Sequence, residues 1–337
     1  MISHNNSSFG NRVSLFIMGW VAFGLLISYL NAVLSPSPLF SGNITRFNYM
    51  ENSAMPWLKY LTSERFFYAF FLIGSLYSFF SISSYKFKSL AFFFYLALLV
   101  YLFLAGEKFT GPVLGSLVFF IFVFSAHSLI GWRRKDIIVF RRFIIFFCSL
   151  IFLYVLYSYV YKYELGQALG SPLLGLLYRG FVLQGHTQWG VDLLFAQGDL
   201  GGGSLWKEHN FSGMSIAMHA IAPPEVLQAF SQVNNASFSS AYPGVVLYSF
   251  GWFGVIVIQL FFAFTYFVFS SIFSWAISRR YILSSVLSMQ CLFVFFYVYN
   301  MGNFNAFWSL KFLIASFGLF FIIFLRSFQS HGGFKNV

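Results

Sequence analysis

Eight apolar runs dominate this chain, near residues 13–34, 66–84, 89–105, 112–131, 143–161, 244–275, 282–299 and 311–325. A bilayer-spanning helix needs about twenty largely apolar residues. The runs therefore predict an all-α polytopic membrane protein of about eight spans, within a range of seven to ten, forming one integral membrane domain over 1–337. The runs at 89–105 and 311–325 are short for a span, whereas 244–275 is long enough to tilt or to begin at the lipid interface. Composition agrees. Only 9% of residues are charged and 59% are hydrophobic, against about a quarter charged in a soluble domain. The 51 phenylalanines read largely as lipid-facing filler of the kind an AT-rich bacterial genome encodes.

The net charge of +11 would suit nucleic acid if it were gathered on one surface. It is instead scattered over short loops: Arg12; Lys86 and Lys88; Arg133, Arg134, Lys135, Arg141 and Arg142; Arg279 and Arg280; Arg326 and Lys335. These clusters fall on alternate loops, so the positive-inside bias puts them all in the cytoplasm. Both termini are then cytoplasmic, and 35–65, 106–111, 162–243 and 300–310 face outward. Every acidic residue except Asp136 also lands outside. The first run has too long a core for a cleaved signal peptide and is expected to be retained as a span. Cys148 and Cys291 both lie in apolar runs, which implies no disulfide framework.

Residues 162–243 break the pattern. Five of the nine acidic residues (Glu164, Asp192, Asp199, Glu208 and Glu225) and three of the six histidines (His186, His209 and His219) lie there, with Lys162, Arg179 and Lys207. Connections in compact domains are usually short, so this stretch is the first place to look for chemistry. Its opening, Tyr178 to Gly190, puts Arg179 and His186 seven residues apart, on one face if the segment is helical. Arginine offers a planar fork of donors to phosphate or carboxylate, and histidine exchanges protons near neutrality. The same pattern describes an interfacial amphipathic helix with a snorkelling arginine. Both readings stand.

Other polar features are weaker. Glu107 and Lys108 occupy a tight turn between two spans, punctuated by Gly106, Gly111 and Pro112. The Gly201-Gly202-Gly203-Ser204 run lacks the Lys-Ser/Thr ending of a phosphate-binding loop and reads as a flexible turn. His209 and His219 lack the spacing of a helical metal pair, so no metal is expected, nor any cofactor. His127 is the main ionisable group inside a span. It stands near the inner end, where a backbone carbonyl would satisfy it, and this disfavours a proton-driven transporter.

Three segments together resemble Wzy-type O-antigen polymerases: the charged turn Gly106-Glu107-Lys108-Phe109-Thr110-Gly111; Tyr178-Arg179-Gly180-Phe181 with Gln184-Gly185-His186; and an exit from the loop reading Ser-x-x-Tyr242-Pro243-Gly244, then Phe250-Gly251-x-x-Gly254. The resemblance implies an enzyme of the Gram-negative inner membrane that transfers a growing glycan from undecaprenyl diphosphate to a new lipid-linked repeat unit in lipopolysaccharide biosynthesis. It gives Arg179 and Lys108 the diphosphate, with Arg65 as a third cation. His186 is the first candidate for the general base, followed by Glu107 and His209. Trp189, Trp206 and Tyr242 are candidates for stacking on sugar rings, although tryptophan at an interface also serves as an anchor. The partners implied are the lipid-linked repeat units, the bilayer, and a chain-length regulator and a flippase of the same pathway. An O-antigen ligase and a flippase or transporter of lipid-linked oligosaccharide are the alternative readings.

Overall fold

A computed structural model describes residues 7–37, 49, 52–56, 66–83, 85–106, 110–130, 183–198, 242–301 and 304–332, with isolated helical positions between 141 and 152. The protein is an all-α polytopic membrane protein, and no strand occurs among the described residues. The helices are α1 (Ser7–Leu34), α2 (Phe66–Ser83), α3 (Tyr85–Leu104), α4 (Gly115–Ile130), α5 (Leu183–Ala196), α6 (Gly244–Ser278), α7 (Ile282–Met301), α8 (Asn305–Trp308) and α9 (Leu310–Gly332). A π-helical turn, Thr110–Leu114, leads into α4. Segments of α1, α3, α4, α6 and α7 are long and apolar enough to cross a membrane, and shorter apolar stretches lie in α2 and α9. Seven of the eight apolar runs are thus helices. The run at 143–161 falls almost wholly outside the described residues.

The chain divides into two compact units, and α6 and α7 contribute to both. The first comprises Met1–Glu164 and Phe273–Val286. In it α2 packs on α3 and α4, and α1 packs on α2 and α3. The inward stripe of α1 is Ser14, Met18, Val21, Leu25, Ser28 and Ala32, every third or fourth residue, while Phe16, Trp20, Phe23, Leu26, Leu30 and Val33 face outward. Small residues on the inward stripe let helices approach where lipid gives no hydrophobic drive for association.

Two glycines set the α2–α4 contact. A Cβ on Gly74 of α2 would stand 2.5 Å from the Phe122 ring of α4, and one on Gly115 of α4 would overlap the Phe70 ring of α2. Each helix therefore seats a ring against the other's glycine, in a register that makes the pair parallel. The phenylalanines are not only lipid-facing filler. Phe70, Phe71, Phe80, Phe119 and Phe122 are fully buried, and the Phe119 ring stacks on Tyr95 of α3 at 4.1 Å. Ser75 of α2 joins Ser285 of α7 through their hydroxyls at 2.8 Å.

The second unit comprises Leu165–Ile272 and Leu287–Val337. Phe262 and Phe269 of α6 meet Phe295 of α7, which also packs on Phe307 of α8 and Phe312 of α9. Leu319 and Ala315 bury the inner face of α9.

Candidate functional site

The long polar stretch enters the described structure at α5 and at the Tyr242–Pro243 turn that leads into α6. Helix α5 packs on the first turns of α6 through Gln188, Val191 and Phe195, spaced to share one side. Val191, Leu247 and Tyr248 form a small buried core, bordered by Leu194, Phe195 and Val255. The Gln188 amide oxygen occupies the space a side chain at Gly244 would need, and this is why the turn ends in glycine.

Helix α6 is broken at Gly251, whose φ of 67° and ψ of −170° are non-helical. That backbone suits glycine alone. The long run therefore begins as a separate arm, Gly244–Phe250, before the remainder of α6.

Tyr242 closes this corner. Its hydroxyl donates to the Val255 carbonyl at 2.8 Å and its backbone N–H donates to the Tyr299 carbonyl at 2.9 Å. Its ring packs against Phe262 and Tyr299 at 5.4 and 5.2 Å, leaving only 5% of the residue exposed. Burial, and secondarily the neighbouring Tyr299, push its hydroxyl above the ordinary tyrosine range. The expectation that Tyr242 stacks on sugar does not fit this placement, because neighbouring rings and a carbonyl take its ring and its hydroxyl. Trp189 lies on α5 with 61% of its surface exposed.

His186 falls in the first turn of α5, three residues before Trp189. The expected sharing of a helical face by Arg179 and His186 lies outside the described residues, as does Arg179 itself. So do Arg65, Glu107, Lys108, Trp206 and His209. For the Glu107–Lys108 turn the near side is in view: α3 ends in a tight turn with Gly106 at φ 79°, its N–H donating to the Phe103 carbonyl. The far side is the π-helical turn, where the Ser116 hydroxyl donates to the Pro112 carbonyl and accepts from Tyr95 at 3.0 Å.

The sequence did not reveal the surroundings of His127. It is buried, with Nε2 at 3.4 Å from the Tyr77 hydroxyl and 3.5 Å from Lys88 Nζ, and that ammonium stands 5.2 Å above the Tyr77 ring. Side chains of α2 and α3 thus stand beside its ring. This pairing crosses between helices and so leaves no mark in local spacing. Among the described residues no three His, Cys, Asp or Glu side chains converge on a metal position.

A family of unknown function, DUF6418, matches residues 207–316, less than half of the 337-residue chain. The matched segment contains the Tyr242 turn, the break at Gly251, α7, α8 and the start of α9, and excludes α5. No curated protein and no solved structure matches the chain.

Proposed function

We propose that the chain is an oligosaccharide repeat-unit polymerase of the Wzy type, acting at the periplasmic face of the Gram-negative inner membrane with both termini in the cytoplasm. The observation that carries this reading is the corner of α5 and α6. A polytopic bundle anchors its one long polar stretch through a helix that holds His186 and presents Trp189 beside the head of a span.

In this reading the acceptor hydroxyl of a lipid-linked repeat unit attacks C1 of the donor sugar. The bond from C1 to the phosphate oxygen breaks, and undecaprenyl diphosphate leaves. A base takes the hydroxyl proton: His186 first, with Glu107 and His209 as the other candidates. Arg179 and Lys108, with Arg65, stabilise the charge that builds on the departing diphosphate. The apolar flank of the spans holds the polyprenyl chain.

Replacement of Arg179 by alanine in the native host tests the proposal on a lipopolysaccharide gel. The polymerase reading expects core carrying a single repeat unit. Core with no repeat would favour a ligase or a flippase, and an unchanged ladder would remove Arg179 from the site.

A further inference from the structure

We propose that α5 is a membrane-surface helix whose Trp189–Leu193 flank lies in the boundary between headgroups and acyl chains. One side of the helix is occupied, since Gln188, Val191 and Phe195 face the arm of α6. On the other side lie two large apolar residues, four apart: Trp189 is 61% exposed and Leu193 43%. An apolar flank of this kind is what an interfacial helix sinks into the boundary between headgroups and acyl chains.

Continuity with α6 identifies what covers this flank. Immediately after the break at Gly251, Trp252 and Phe253 are 54% and 79% exposed. The exposed stripe runs on through Ile256, Leu260 and Phe264, along a candidate span whose most apolar window is only 11% buried. For a membrane span that exposed surface is lipid-facing. Phe195 of α5 meets Trp252 edge to face at 6.4 Å, so α5 adjoins the lipid-facing stripe where it begins. Trp189 and Trp252 then form part of the aromatic belt that marks the interface. Asp192, exposed on α5 between the packed side and the tryptophan side, supplies a polar edge.

The docking itself does not depend on the polymerase reading, but its consequence does. A helix at headgroup depth would hold the site residues level with the diphosphate of a lipid-linked sugar.

The test is nitroxide accessibility in the full chain, with Cys148 and Cys291 replaced. Labels at Trp189→Cys, Leu193→Cys and Asp192→Cys are read in phosphatidylethanolamine–phosphatidylglycerol vesicles against oxygen and a water-soluble nickel chelate. The proposal expects oxygen-dominated relaxation at 189 and 193, at a depth of about 5–10 Å, and nickel-dominated relaxation at 192. Nickel access at 189 and 193 equal to that at 192 would overturn it. Shielding of both positions from both reagents would also overturn it, because a protein surface would then cover the flank. Either site alone decides the matter if the other variant does not fold. An unchanged ladder for Arg179→Ala alongside oxygen-dominated labels would sink the catalytic reading and leave the docking intact.

Discussion

The hydroxyl of Tyr242 donates to the carbonyl of Val255 over 2.8 Å and so reaches across the break that Gly251 makes in α6. Because the backbone N–H of Tyr242 also donates to the Tyr299 carbonyl, this single residue ties the arm of α6, the body of α6 and the end of α7 together. The tyrosine and the glycine at the end of the polar stretch are parts of one corner.

Tyr242→Phe keeps the ring and loses the hydroxyl bond. It is expected to cost about 1 kcal/mol, the usual net worth of a buried hydrogen bond. Tyr242→Ala also empties the space between Phe262 and Tyr299 and is expected to cost about 3–5 kcal/mol. Unfolding of the purified protein in mixed micelles measures both. If the proposed polymerase function holds, the glycan ladder should survive Tyr242→Phe, and its loss would return the hydroxyl to the proposed site.

The same residue sets an alkaline limit. Burial holds the folded-state pKa of Tyr242 above the free value of about 10. Below that value folded and unfolded chains are both protonated, so this group gives stability no slope. Above it the unfolded chain ionises first, and stability falls as pH rises towards the folded pKa. Tyr49, also raised by burial, adds to the effect. Unfolding midpoints should be flat to about pH 9 and decline beyond pH 10, with a shallower decline in Tyr242→Phe. An identical decline in that variant would locate the titration elsewhere.

Gly251→Ala forces a side chain into a positive-φ, extended-ψ backbone that is essentially glycine's alone, at a cost of about 1–3 kcal/mol, and its Cβ would meet the Phe195 ring at 3.4 Å. Gly24→Ala is the control. It lies within α1 with nothing inside 4 Å of the added carbon, and is expected to be neutral or stabilising by up to about 1 kcal/mol. The signs should differ in one assay. A harmless Gly251→Ala would mean that the break relaxes into a continuous helix.

The spans were legible because a helix in lipid must be apolar along its length, and ends read from polarity fall within about four residues of those of α2, α3, α4, α6 and α7, whereas α1 begins and α9 ends further out in polar sequence. The break at Gly251 was half legible. The excess length of 244–275 announced that something other than one straight span was present, but a glycine inside a helix reads equally as a packing contact. Tyr242 was misread because an aromatic beside a proline looks the same whether its ring meets a sugar or Phe262. The Tyr77–Lys88–His127 cluster and the Gly74–Phe122 contact were illegible, since each joins residues from different helices whose register no local pattern encodes.

Two tyrosines of α3 should answer to the same substitution with opposite signs. Tyr95 is fully buried, donates to the Ser116 hydroxyl at 3.0 Å, and stacks on Phe119. Tyr95→Phe breaks a satisfied bond at the entrance to α4 and is expected to cost about 1 kcal/mol. Tyr101 is 3% exposed and its hydroxyl has no hydrogen-bond partner among the described residues. The Ser28 hydroxyl beside it donates to the Gly24 carbonyl at 2.8 Å, and its oxygen stands near the Tyr101 hydroxyl without the geometry of a hydrogen bond. Burying a hydroxyl without a partner costs free energy, so Tyr101→Phe removes a penalty while keeping the ring beside Tyr29. It should leave stability unchanged or raise it by up to about 1 kcal/mol. Unfolding of both variants in the same micelles provides the comparison. A loss at Tyr101 as large as that at Tyr95 would show that the Tyr101 hydroxyl is bonded in the membrane, and the polar end of α1 around Asn31 and Ser35 would be where to look for its partner.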